Sequence, residues 1–253
     1  MINNIAVVTY TNSICEDIWP IYFGQLDKYG NKLKSYVFSD KLPSPGEFEG
    51  HTFLKYNNEN PYYMQYNNLL ESLEEEYIIY CQEDFFLQSE IDYEELKRCL
   101  LVLENTDYSF VRLVKTDIGA WKHSSECKKR DWEVIELDDN IYCAHSTDFD
   151  AFSFQMQATL WKKSDMINLY NHVKSEKWLE DREWDKGMRE TNTKGSYYYK
   201  DSAKEGPYHW APEIWPYVCT AVGRGKWTLS VHGDRLLNIL NEYSVDIRKR
   251  GIR

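Results

Sequence analysis

The sequence predicts an α/β protein built on a parallel sheet, and three observations carry that expectation. Two apolar runs, Ile5-Ala-Val-Val-Thr-Tyr10 and Tyr77-Ile-Ile-Tyr-Cys81, show no polar alternation, as strands buried on both faces do. Between and after them lie stretches whose apolar residues recur at helical spacing. The second run also stops abruptly at Gln82-Glu83-Asp84. Ligands of open α/β sheets collect outside the carboxyl ends of the strands, so this acidic pair falls where function is expected. Carboxylates beside a hydrophobic strand must be paired, hydrogen-bonded or metal-bound. The plain alternative is a strand leaving the core into a solvated loop.

Each element follows from local pattern. After the first strand, Trp19, Tyr22, Phe23 and Leu26 mark a helix that stops at Gly30. Leu33-Lys-Ser-Tyr-Val-Phe38 gives a strand ended by Ser39-Asp40, and Pro43-Ser-Pro-Gly46 a loop. A short strand around Phe53 to Tyr56 precedes Pro61, after which a helix is predicted over 62–75, with apolar residues at 62, 63, 66, 69, 70 and 73. The order β-α-β-β-α-β within the first 85 residues is that of a nucleotide-binding half-sheet with right-handed crossovers. A helix over 93–104 and a strand over 108–114 follow, then two short β pieces at 132–137 and 140–144. Phe152 to Trp161 alternates as a strand, succeeded by a helix over 164–174 that Ser164 caps. A second, acidic helix begins near Lys177, and a short helix is expected beyond Val231-His-Gly-Asp-Arg-Leu236. There is no internal repeat and no linker that forces a boundary.

Composition narrows the function classes. Aromatic residues make up 15% of the 253, too apolar a composition for disorder. A formal charge of −11 argues against general nucleic-acid or anionic-membrane binding, both of which rest on positive fields. The basic end, Arg248-Lys-Arg-Gly-Ile-Arg253, reads as a solubilising tail because no apolar face accompanies it. No signal sequence and no membrane-spanning run is apparent, and the six dispersed cysteines form no C-x-x-C pair, so a cytoplasmic protein with reduced thiols is expected.

Taken together, the early β-α-β-β-α-β order, the Gln82-Glu83-Asp84 strand end, Phe154-Gln-Met-Gln-Ala-Thr-Leu-Trp161 and the Trp178-Leu-Glu-Asp helix resemble a glycosyltransferase of the GT-A fold, over residues 5–190. The resemblance implies a mixed, mainly parallel central sheet flanked by helices, in a single domain spanning 1–253. Within it, 1–115 would form the nucleotide-sugar half and 116–253 an irregular acceptor half. It further implies a D-x-D element holding Mn²⁺ or Mg²⁺ against the diphosphate of a nucleotide-sugar donor, with a glycan or small-molecule hydroxyl as acceptor. Here Gln82 stands in the first acidic position, which leaves Asp84 as the direct ligand and Glu83 as its helper.

The same resemblance makes Asp181 the first and Glu180 the second choice of general base for the acceptor hydroxyl. Acids near a helix N-terminus also occur as a solvated face without catalytic role. Thr9, Tyr10 and Asn12, where the first strand meets its helix, and Asp40 at the end of the second, are expected at the nucleotide, with Gln65 nearby. Turn and cap roles would equally explain Asn12 and Asp40. Gln155 and Gln157 are amides in an apolar strand that sugar hydroxyls would satisfy, and Trp161 or Trp178 would stack on a pyranose if not used for packing. His232 is a candidate further metal ligand, and Arg224, Lys226 and Arg235 are cations able to hold a diphosphate. A non-catalytic carbohydrate-binding protein is the alternative, favoured by Gln82. A nucleotidyltransferase ranks last, because Thr9-Tyr-Thr-Asn-Ser13 offers neither glycine nor lysine.

Overall fold

In the computed structural model the described residues are 2–113, 133–138, 141–145, 157–176, 181–198, 204–205, 209–210 and 214–253. Their centre is a nine-stranded sheet containing β1 (Ile5–Tyr10), β2 (Lys34–Ser39), β3 (His51–Lys55), β4 (Tyr77–Gln82), β6 (Phe110–Arg112), β7 (Glu133–Asp138), β8 (Ile141–His145), β9 (Thr159–Lys162) and β10 (Gly195–Tyr198). The order is β3-β2-β1-β4-β9-β6-β10-β8-β7. The four strands from β3 to β4 are parallel, β9 and β8 run against the rest, and the sheet is therefore the mixed, mainly parallel one expected. Outside it, short strands pair two by two: β5 (Phe86–Leu87) with β13 (Tyr217–Val218), β11 (Lys204–Glu205) with β12 (His209–Trp210), and β14 (Val222–Gly223) with β15 (Lys226–Trp227).

Strand alternation divides the core. On one face Ile5, Val7, Ile79 and Cys81 meet α1 (Trp19–Tyr29), α3 (Tyr93–Asn105) and α6 (Leu229–Glu242). On the other, Val8, Ile78 and Tyr80 meet α2 (Tyr62–Leu70), α4 (Lys163–Val173) and α5 (Asp181–Glu190). Both faces of β1 and β4 are thus covered, which is why neither strand alternates in sequence. Asp92 caps α3 by accepting from the backbone N–H groups of Glu94 and Glu95, and Asn12 caps the 3₁₀ turn Ser13–Ile18 in front of α1.

Four elements and one cap depart from expectation; the cap is that of α4, which starts at Lys163 with Lys162 in the N-cap position, so that Ser164 lies within the first turn instead of capping it. α2 ends at Leu70 rather than at 75: the chain turns at 71–72 so that Leu73 is buried and Glu75 reaches Lys34 on β2, 2.6 Å away. Glycine and proline are absent from that turn, so tertiary contacts set the helix end. The strand expected over 152–161 begins, among the described residues, at Thr159, and 152–156 lie outside them. The final helix spans 229–242, longer than expected, absorbing the Val231–Leu236 stretch through a break at Gly233 (φ 50°). Most consequentially, the basic end is no free tail. Trp227 N–H donates to the Gly251 carbonyl at 3.0 Å, Arg253 N–H donates to the Trp227 carbonyl at 2.8 Å, and Ile252 pairs with Trp227 as a parallel β-bridge.

Candidate functional site

The carboxyl ends of β1 and β4 open into a cleft of about 730 Å³, a size suited to a small-molecule or cofactor ligand. One side is Tyr10, Thr11, Asn12 and Cys15, the floor is Gln82, Glu83 and Asp84, and the other side is Thr220, Val222, Arg224, Arg250 and Arg253. The far side arrives by long-range pairing. β5, just beyond Asp84, runs antiparallel to β13, and Ala221 N–H donates to the Asp84 carbonyl at 3.0 Å. After β13 the hairpin of β14 and β15 carries Arg224 at its turn.

The acidic pair is electrostatically strained. Asp84 is only 9% exposed. Burial and the charge of Glu83 push its carboxyl up to about 8, more than the Val222 backbone N–H and the charge of Arg250 offset. Burial also raises Glu83, opposed by Cys15 and Thr11 beside it. The half-buried thiol of Cys15 is in turn pushed up to about 12 by burial and by Glu83. The floor is therefore short of positive charge, and its two acids cannot both ionise comfortably. A bound cation would relieve both.

The other predicted residues divide clearly. Tyr10 lines the cleft, its ring stacked on Tyr56 (centroids 5.1 Å, 9° between planes) and its hydroxyl donating to Gln65 Oε1 at 2.7 Å. Gln65 sits one step behind, its amide also donating to the Asn60 carbonyl. Asn12 lines the cleft while its side chain accepts from Ile14 N–H at 3.0 Å. Asp40 takes the Ser13 N–H at 2.7 Å and the Ser13 hydroxyl at 2.9 Å, and so clamps the β1 loop. Gln82 lies in the floor, with its amide 3.4 Å from the Tyr80 hydroxyl.

Three candidates are placed elsewhere. Thr9 is fully buried beneath α1, its hydroxyl 2.7 Å from that of Tyr22, because alternation turns it away from the cleft. Trp161 is buried against Phe110 (4.3 Å) and pairs with Ile78 at the start of β4, since antiparallel β9 carries it to the opposite end of the sheet. His232 sits behind the wall, its Nε2 2.7 Å from the Cys219 carbonyl, which makes that nitrogen a donor and not a metal ligand. Gln157 accepts from the Tyr217 hydroxyl at 2.5 Å, close to Phe85. Gln155, Trp178 and Glu180 lie outside the described residues. Asp181 opens α5, shortly after Glu176, whose carbonyl takes the Tyr62 N–H at the start of α2.

Arg250, Arg253 and Cys15 were not foreseen from sequence. Nothing local marks them beyond the charge of the last residues, because contacts outside their own stretch bring them to the cleft: backbone bonds from Arg253 to Trp227 and a side-chain pair from Arg250 to Asp17.

No family model and no curated protein sequence matches the chain. Among solved structures it is similar to 2-C-methyl-D-erythritol 4-phosphate cytidylyltransferase from Thermus thermophilus (9% identity, 94% of this chain and 98% of that one, TM-score 0.48). It is also similar to the glycosyltransferase GlyE of Streptococcus pneumoniae TIGR4 (11%, 76% and 44%, TM-score 0.46) and to the bifunctional IspDF of Campylobacter jejuni (10%, 78% and 50%, TM-score 0.43). The chain thus spans about half the length of the last two. Likeness this distant bears on no chemistry.

Proposed function

We propose that the protein is a glycosyltransferase that moves a sugar from a nucleotide-diphosphate donor to a hydroxyl of a glycan or small molecule. The observation that carries the reading is the Glu83–Asp84 pair, half-buried and buried respectively, at the carboxyl end of the central strand, on the floor of a ligand-sized cleft. Tyr10 and Asn12, which line the same cleft, are the residues proposed to meet the nucleotide.

Glu83 and Asp84 would hold a divalent cation. Their oxygen donors suit Mg²⁺ or Mn²⁺, and the charge deficit on the floor is what such an ion would fill. Among the described residues no group of three or more acidic, histidine or cysteine side chains forms a complete metal cage, so phosphate oxygens and water would supply the remaining ligands. When bound, the ion would neutralise the leaving diphosphate. Asp181 is the proposed base for the acceptor hydroxyl, with Glu180 beside it, as an inverting transfer requires.

A panel of uridine, guanosine and cytidine diphosphate sugars, incubated with Mn²⁺ or with EDTA, tests the reading by donor hydrolysis and by calorimetry. Turnover of one donor, abolished in Asp84→Ala, is the expected result. Absence of binding across the panel refutes it. Glycan binding that survives both Asp84→Ala and Asp181→Ala without turnover would instead indicate a non-catalytic carbohydrate-binding protein.

A further inference from the structure

We propose that Arg224, Arg250 and Arg253 form a diphosphate-binding wall facing Glu83 and Asp84 across the cleft. The inference rests on the transfer reading and deepens it, by naming the side chains that hold the anionic part of the donor. In a chain of net charge −11, three guanidinium groups from two distant segments converge on one cleft. Guanidinium forks match phosphate oxygens in bidentate fashion and are the side chains best suited to a diphosphate.

Arg250 is preorganised for the task. Its Nε donates to Asp17 Oδ2 at 2.7 Å, a second nitrogen is paired with Asp17 Oδ1, and its guanidinium lies over the Trp227 ring at 5.8 Å. Only 15% of the side chain is exposed. With one edge fixed by Asp17, one face by Trp227 and a further contact to Cys15, the N–H groups not so engaged can meet an anion at little further ordering cost. Asp17 is therefore a positioning residue. Arg253 is set beside the cleft by its backbone bonds to Trp227 and Ser230, and Gly223 leaves it room, since a Cβ there would lie 3.1 Å from an Arg253 terminal nitrogen.

Arg224 gives the independent observation. It and Gly225 occupy the two-residue turn with φ of 52° and 78°, a pair of left-handed positions where asparagine or glycine fits the backbone better. Thr220, β-branched and at φ 53°, lines the same cleft. Strained non-glycine residues persist where surrounding structure over-determines them, and they cluster at ligand sites. The wall is over-determined: Thr228 Oγ1 donates to the Thr220 carbonyl at 2.7 Å, while Asp84 and Gly251 accept the Ala221 and Trp227 backbone N–H groups. A long cation kept at a turn that resists it points to a ligand.

The experiment titrates the intact protein with inorganic pyrophosphate, with and without Mg²⁺, and in parallel with nucleoside diphosphate sugars. Arg224→Asn and Arg250→Lys are expected each to weaken pyrophosphate binding about tenfold or more, the size of one lost charge-assisted contact. Asp17→Asn should weaken it less, and Asp17→Glu should restore it. Because asparagine suits the turn, Arg224→Asn should melt no lower than wild type, which separates lost binding from lost folding. Equal pyrophosphate affinity in wild type and both arginine variants overturns the wall. Nucleotide-sugar binding without any pyrophosphate binding also overturns it, and leaves the transfer reading intact. Pyrophosphate binding lost in the variants, with no nucleotide sugar bound or hydrolysed, supports the wall and refutes the transfer reading. Silence in both titrations refutes both.

Discussion

Asp84→Asn should make the metal-free protein more stable at neutral and mildly alkaline pH, even as it removes the proposed transfer activity. The folded carboxyl sits at about 8, against an ordinary value of 3.8, so between those two values the folded state holds a proton that the unfolded state has released. Stability from this group is therefore largest below pH 4 and is lost as pH rises toward 8. Each tenfold change in proton affinity corresponds to about 1.4 kcal/mol, so the loss between pH 5 and pH 8 is bounded at roughly 4 kcal/mol. Sharing of the proton with Glu83 and local water entry reduce that figure. A loss of at least ~1.4 kcal/mol, a tenfold change in the unfolding equilibrium, is expected. Asparagine keeps an acceptor for the Val222 N–H but has no proton to surrender. The assay is denaturant unfolding of both proteins in chelator at pH 5 and pH 8, read as the difference between their pH dependences so that other groups cancel. Identical dependences would refute the charge-deficit reasoning. Mg²⁺ or Mn²⁺ should restore the stability of wild type at pH 8 and leave the variant unmoved.

Three further predictions concern the fold, two beside the cleft and one at the far end of the sheet. Asp40 is raised by burial, but the side-chain and backbone hydrogen bonds from Ser13 outweigh that and hold it below the usual carboxylate range. Its contribution is therefore present above pH 4 and is lost as pH falls through the depressed value; Asp40→Ala should cost about 1–2 kcal/mol at pH 7 in chemical unfolding and should abolish that acid-side decline. Thr9→Val leaves the buried Tyr22 hydroxyl with only the Cys81 thiol as partner and should cost about 1–3 kcal/mol by the same measurement, with nucleotide-sugar affinity unchanged in calorimetry. A Cβ at Gly195, on β10, would overlap the Phe110 ring, which Trp161 holds in place; Gly195→Ala should lower stability by about 1–3 kcal/mol, and an unchanged melting curve would show that the strand shifts freely.

The sequence by itself determined the strands that alternation cannot explain, the helices between them and the acidic strand end, because these depend on the periodicity of neighbouring residues and on glycine, proline and cap chemistry. Tertiary structure decided the rest. Whether Thr9 or Tyr10 faced the cleft depended on which face of β1 received α1, and residues covered on both sides carry no mark of that choice. Trp161 left the site because β9 enters the sheet antiparallel between β4 and β6, a direction fixed by its neighbours and not by its own residues. The basic end became a cleft wall through backbone bonds to Trp227 and the pairing of β13 with β5. Hydrogen bonds between segments so far apart leave no local pattern in the chain, whereas burial of a continuous apolar strand does.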